Sequence, residues 1–134
     1  MILVDTNVLL DVITDDPQWA DWSQHQLRAA ALTDGLAINA VIYAEASINY
    51  ERIEDLDAVL DTAGIALVEI PRPALFLAGK VFRAYRKAGG IRTGVLPDFF
   101  IGAHAAVAKL RLLTRDARRY RSYFPSTELI APQA

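Results

Sequence analysis

The sequence contains no cysteine. That absence removes disulfide scaffolds, thiol nucleophiles, Cys-ligated zinc and iron–sulfur clusters together. No uninterrupted apolar run approaches the ~20 residues of a membrane span. The opening Met1-Ile2-Leu3-Val4-Asp5 has no basic region ahead of an apolar one, as a secretory leader would. A cytoplasmic chain with no signal peptide and no membrane association is expected. Repeats, low-complexity tracts and linker-like stretches are also missing. What remains is 134 residues, 53% of them hydrophobic, enough for one domain with a sizeable core, taken as residues 1–132.

The net charge of −2 conceals a division. Residues 1–79 hold 13 acidic and 3 basic side chains, a charge of −10, whereas residues 80–134 hold 3 and 11, a charge of +8. An acidic patch beside a basic one is implied, and basic clusters attract polyanions. Two solvated faces of opposite sign would give the same count.

Short apolar runs at 2–4, 36–38, 65–70, 112–113 and 128–130 read as strands, and helical periodicity fills the intervals. Asp15-Asp16-Pro17 ends a first helix, with Pro17 suited to an early position in the next, which carries Trp19, Trp22 and Leu27. Asn39 can cap a helix that includes Val41, Ala44, Glu45 and Ile48, and an acidic helix at 53–63 stops at Gly64. Leu75, Ala78, Val81, Phe82 and Tyr85 form one apolar stripe, with Lys80, Arg83 and Lys87 on the other side. Pro97-Asp98 opens a helix whose Gly102, Ala103 and Ala106 would allow close packing on a sheet. Alternating strands and helices predict an α/β domain, a central parallel sheet of four to five strands covered by helices. Right-handed crossovers then place every strand's carboxyl end on one edge, where such sheets bind ligands.

Asp5 and Asp116 each follow a strand, Asp98 starts a helix, and Glu45 lies about two turns into another. Singly, each has an ordinary alternative: Asp5 a helix cap, Asp98 a partner of its helix dipole, Glu45 and Asp116 exposed surface. Four carboxylates at one rim repel one another unless positive charge joins them. A divalent cation resolves that conflict, and an all-oxygen donor set favours Mg²⁺ or Mn²⁺ over zinc. Metal-bound water and phosphate oxygens are the ingredients of phosphodiester hydrolysis.

Val4-Asp5-Thr6-Asn7, Ala44-Glu45, Pro97-Asp98 and Leu113-Thr114-Arg115-Asp116, with Tyr123-Phe124-Pro125 and Leu129-Ile130-Ala131-Pro132 after them, resemble in order the PIN-domain ribonucleases. Within that family the pattern is similar to the VapC-type toxins of type II toxin–antitoxin pairs, over essentially the whole chain. The resemblance implies a PIN domain with endoribonuclease activity on a transfer or ribosomal RNA. It implies an acidic catalytic site of Asp5, Glu45, Asp98 and Asp116, with Asp5, Asp98 and Asp116 as metal ligands. Thr6, Asn7 and Thr114 would support those carboxylates, and a cognate VapB-type antitoxin and a homodimer would be the partners. His104 has no counterpart in the pattern and reads as structural.

Lys80, Arg83, Arg86, Lys87 and Arg92 precede Asp98, and Arg111, Arg115, Arg118, Arg119 and Arg121 bracket Asp116. Arg92 and Arg115, nearest the acidic residues in sequence, are the expected phosphate contacts to substrate RNA. Tyr85, Tyr120 and Tyr123 could stack bases, although core or rim packing is the expected role of each. Phosphoaspartate phosphatases need a second Asp where Asn7 stands, and receiver domains need a phosphoacceptor after strand three, which here ends in Ile70-Pro71. A catalytically inert PIN-like module that binds RNA or protein is the alternative of a different kind. Loss of a carboxylate would mark it, and all four are present.

Overall fold

The computed structural model describes residues 1–92 and 94–132. Five strands, β1 (Ile2–Val4), β2 (Leu36–Ile38), β3 (Ile65–Leu67), β4 (Arg111–Leu113) and β5 (Leu129–Ile130), form one sheet in the order β3-β2-β1-β4-β5. Every neighbouring pair is parallel. The first strand in sequence is the central one in space, with Leu3 level with Ala37 on one side and Leu112 on the other. Ile2, Leu3 and Val4 are at most 1% exposed. A strand buried on both faces must be apolar throughout, which is why it reads as a continuous run.

Helices α1 (Thr6–Ile13), α2 (Ala20–Thr33), α3 (Ala40–Ser47), α4 (Ile53–Ala63), α5 (Arg72–Lys87), α6 (Leu96–Ala108) and α7 (Arg118–Tyr123) make the connections. The chain steps outward from β1 through β2 to β3, then returns to the far side of β1 as β4 and β5. Its winding therefore reverses between β1 and β4, and the carboxyl ends of those two strands form the switch point where open α/β sheets bind ligands.

The local signals for α3 and α4 hold. Asn39 accepts hydrogen bonds from Val41 N and Ile42 N, both 3.1 Å, and caps α3. Gly64 closes α4 at φ +70°, a left-handed conformation that costs glycine nothing.

Three expectations are corrected. Helix α2 begins at Ala20 and not at Pro17, because the Asp16 side chain accepts from Gln18 N and Trp19 N and holds 16–19 as a turn. Strand β3 stops at Leu67 instead of 70. It lies at the sheet edge with Ala66 and Leu67 exposed, and after Val68 N donates to the Ile38 carbonyl the chain leaves for α5. On α5 the buried positions are Ala74 and Ala78, whereas Leu75 is 45% exposed. Ala78, Val81, Phe82 and Tyr85 pack on the core as the stripe requires, and only Leu75 departs from it, its place taken by Ala74.

Phe99 on α6 anchors that side of the core. It lies edge-on to Phe82, Tyr85, Tyr123 and Phe124 at centroid distances of 5.2–6.3 Å, joining α5, α6 and α7. Gly102 sits under the Phe124 ring, not against the sheet, and a Cβ there would fall 2.4 Å from two ring carbons. Gly79, in the middle of α5, is exposed, and a Cβ would meet nothing within 4 Å.

Helix propensity alone would favour alanine at both glycines by about 1 kcal/mol. Overpacking against the buried Phe124 outweighs that gain at one of them. Gly102→Ala is therefore expected to lower unfolding free energy by about 1–2 kcal/mol and Gly79→Ala to raise it by about 0.5–1 kcal/mol, both read from urea denaturation.

Candidate active site

Asp5 leaves β1 and caps α1, its Oδ1 accepting from Thr6 N at 2.7 Å. Its Oδ2 accepts from Thr114 Oγ1 at 2.8 Å, Tyr120 OH at 3.0 Å and Asn7 Nδ2 at 3.3 Å. The carboxyl is 3% exposed. Burial pushes its pKa up to about 6; the Thr114 and Tyr120 hydroxyls pull it back, and the charge of Asp98 raises it further. Tyr120, itself buried, is held well above the usual tyrosine value by burial and by Asp5 and Asp98, so its hydroxyl stays a donor. The expected reading of Tyr120 as a packing residue rather than a base-stacking one is met, and the bond to Asp5 adds a role that apolar patterning could not show.

Thr6 Oγ1 donates to Glu45 Oε1 at 2.6 Å, which brings α3 to the first turn of α1. Asn7 links α1 to the turn after β4: its Oδ1 accepts from Arg115 N at 3.1 Å and its Nδ2 lies 3.4 Å from Thr114 Oγ1. Thr114, fully buried, also accepts from Asp116 N at 3.1 Å and turns the chain after β4. The three supporting residues thus connect Asp5, Glu45 and Asp116. Asp98, in the first turn of α6, is raised by burial; Arg119, paired with its Oδ2, lowers it, and Glu45 and Asp116 raise it again. The four carboxylates therefore share one electrostatic neighbourhood.

Among the described residues no group of three or more acidic or histidine side chains is gathered tightly enough to hold a metal ion as it stands. Arg119 engages Asp98 and Thr6 engages Glu45. The donors nonetheless suit a hard cation. All are oxygens, the Asp5 Oδ1 has one donor and a free lone pair, and burial, joined by the neighbouring carboxylates, raises both Asp5 and Asp98, a cost that a bound cation would offset.

The basic residues are placed unequally. Arg115 binds Asp11 in a two-pronged pair, Nε to Oδ2 at 2.9 Å and NH2 to Oδ1 at 2.8 Å, and lies 5.5 Å from the Trp19 ring centroid. Asp11 is 2% exposed and also accepts from Ser23 Oγ at 2.8 Å. The guanidinium that sequence proximity offered to substrate is thus committed to a buried carboxylate, which raises its pKa further. Arg92 is exposed, and only its backbone N–H is placed, donating to Tyr85 OH at 3.2 Å. His104 is buried with Nδ1 3.1 Å from Asn39 Nδ2, so its ring accepts from the amide that caps α3. Burial holds it below the usual histidine value, and among the described residues no carboxylate is hydrogen-bonded to it, as a structural residue requires. Asp11, Arg119 and Tyr120 were missed as partners of the site because each pairing spans 21 residues or more.

With this geometry in place, comparison with known proteins defines the class. In sequence, no curated protein matches the chain. In structure it is similar to VapBC2 from Rickettsia felis bound to a promoter DNA fragment, at 20% identity and TM-score 0.75 over 99% of this chain and 100% of that one. A toxin–antitoxin complex from Klebsiella pneumoniae (20% identity, TM-score 0.68, 99% and 98% covered) and FitAcB from Neisseria gonorrhoeae (21%, 0.66, 97% and 96%) share the fold. Residues 2–124 match the PIN domain, and the chain belongs to that family.

Two predictions follow from these charges. Arg115→Met leaves Asp11 buried without its counter-ion and should cost about 2–4 kcal/mol in urea denaturation, with Asp11→Leu in the same chain restoring part of the loss. Asp5, raised from 3.8 to about 6, binds its proton more tightly folded than unfolded, so its destabilising effect is absent below pH 3.8 and complete above pH 6. The full shift corresponds to about 3 kcal/mol, and losing the cap to Thr6 N returns part of it. Asp5→Asn in EDTA is therefore expected to gain about 1–2 kcal/mol at pH 7.5 and nothing at pH 4; equal gains at both would contradict the assignment.

Proposed function

We propose that this chain is a Mg²⁺- or Mn²⁺-dependent endoribonuclease of the VapC toxin type, acting in the cytoplasm on a transfer or ribosomal RNA. The observation that carries this reading is the buried Asp5 at the reversal of the sheet, raised to about 6 with Asp98 beside it. A carboxylate kept in so unfavourable a place is typical of a functional site. Asp5, Asp98 and Asp116 would hold the ion, which when bound supplies a hydroxide-like water and a counter-charge for phosphate. Glu45, which accepts from Thr6 Oγ1, would orient water at that rim. Thr114, Asn7 and Tyr120 keep Asp5 ionised and aimed. The fold shared with VapBC and other toxin–antitoxin complexes supports a VapB-type antitoxin as partner, and a homodimer is proposed on the family resemblance alone. No described helix is long and apolar enough to cross a membrane.

The test uses total RNA from the source organism, the purified chain, and Mg²⁺ or Mn²⁺ against EDTA. Cleavage is expected only with metal. Asp5→Asn and Asp98→Asn should reduce it about 100-fold or more and Thr114→Val about 10–100-fold. Metal-independent cleavage, or cleavage by the variants at the wild-type rate, would overturn the mechanism. Absence of both cleavage and metal binding would assign the chain to the inert PIN-like modules instead.

A further inference from the structure

The arginines of residues 111–121 divide by pairing. Arg111 is paired with Asp34, Arg115 with Asp11 and Arg119 with Asp98. Arg118 and Arg121 form no ion pair among the described residues, and both are exposed. Both line a groove of about 660 Å³ whose other walls include Asp116, Trp19 and Pro132. Charge left without a carboxylate is charge available to a polyanion, and two such charges lie side by side along this hollow.

The aromatic wall of that hollow is fixed in advance. Trp19 lies edge-on to Trp22 at 6.0 Å and 86°, and the Arg115 guanidinium beside it is itself tied to Asp11. A smaller hollow of about 250 Å³ shares Asp116 and Arg118 with the groove and adds Arg119, the partner of Asp98. The groove therefore runs from the tryptophan to the acidic rim. A volume of this size is in the usual range for small-ligand sites. Aromatic and guanidinium planes flanked by free cations are the elements that hold single strands, since a base paired in a duplex cannot turn its face to them.

We infer that this groove binds the unpaired strand of the RNA on one side of the cleaved bond, with a base stacked at Trp19 and the adjoining phosphates at Arg118 and Arg121. This rests on the ribonuclease reading given above, and it moves the expected phosphate contacts from Arg115 to two residues the pairing leaves free. Asp116 then stands between the strand-holding groove and the other carboxylates.

The chain has only two tryptophans, Trp19 and Trp22, so the test is optical. The whole protein in EDTA is titrated with a mixed-sequence single-stranded RNA of eight nucleotides and with the same length of duplex. The single strand is expected to quench tryptophan fluorescence and the duplex to leave it unchanged. Trp19→Leu should abolish the quench and weaken binding about 5- to 100-fold, and Trp19→Phe should retain most of the affinity. Arg118→Gln and Arg121→Gln should each reduce the slope of log K against log salt by about 0.7. These exposed substitutions do not threaten folding and decide the matter if Trp19→Leu proves unstable. An unchanged salt slope in both arginine variants, or an unchanged quench in Trp19→Leu, would overturn the groove assignment while metal-dependent cleavage by the wild type left the ribonuclease reading standing. A wild-type chain that neither binds the single strand nor cleaves RNA would overturn both. Variants that bind RNA normally but no longer bind an acidic antitoxin segment would assign the groove to protein and refute the proposal.

Discussion

Everything at the carboxyl edge of the sheet depends on one buried carboxylate and the donors around it. Asp5 takes a backbone N–H from Thr6, an amide from Asn7 and hydroxyls from Thr114 and Tyr120. These four contacts join β1 and α1 to the turn after β4 and to α7, so the same bonds that make burial of the charge tolerable also align the site. The compensation is incomplete, since the carboxyl still titrates near 6. Hydrogen bonds to the ionised form lower a pKa, but burial and a second carboxylate outweigh them here. The ionised carboxyl thus carries a burial cost that its hydrogen bonds offset only in part.

The opposed charges of the two parts of the sequence are not merely two faces in solvent. Arg115 and Arg111 from the basic part close on Asp11 and Asp34 from the acidic part. Both pairs link the β4 region to elements near the N-terminus. The Arg115 pair has greater energetic weight, because Asp11 is buried and meets the guanidinium through two bonds, whereas the Arg111 pair is partly exposed and screened. Interlocking of this kind uses up some cations structurally and leaves others at the surface, a distinction a charge count cannot make.

Strands β1, β2 and β4 were legible because burial on both faces demands unbroken apolar runs, and Asn39 and Gly64 because capping is chemistry within a few residues. The four carboxylates could be picked out by their places after strands and at helix starts. Partners distant in sequence were not legible. Asp11 looks like the polar side of a short helix until Arg115 arrives from 104 residues away, and Tyr120 looks like an ordinary apolar position until its hydroxyl meets Asp5. Of the α5 stripe only Leu75 misled, because periodicity fixes a face to within about one residue; Ala78, Val81, Phe82 and Tyr85 do meet the core, and Ala74 rather than Leu75 completes it. Proximity in sequence misled for Arg115 because its carboxylate partner lies 104 residues away.

The central strand of the sheet is also its earliest, and it pairs with a strand more than a hundred residues later, Leu3 beside Leu112. Contacts that distant close the largest loop in the chain and can form only once the later strand exists. During synthesis β1 can pair with β2 soon after both emerge, but its other edge stays open until residue 113 has been made. Asp98 and Asp116, and the Thr114 and Tyr120 hydroxyls that hold Asp5, all come from this late part. A nascent or truncated chain therefore carries Asp5 and Glu45 without the rest of the rim, and its acidic half is chemically incomplete. The order of strands makes synthesis through residue 120 a precondition for assembling these contacts, a constraint set by topology rather than by any single residue.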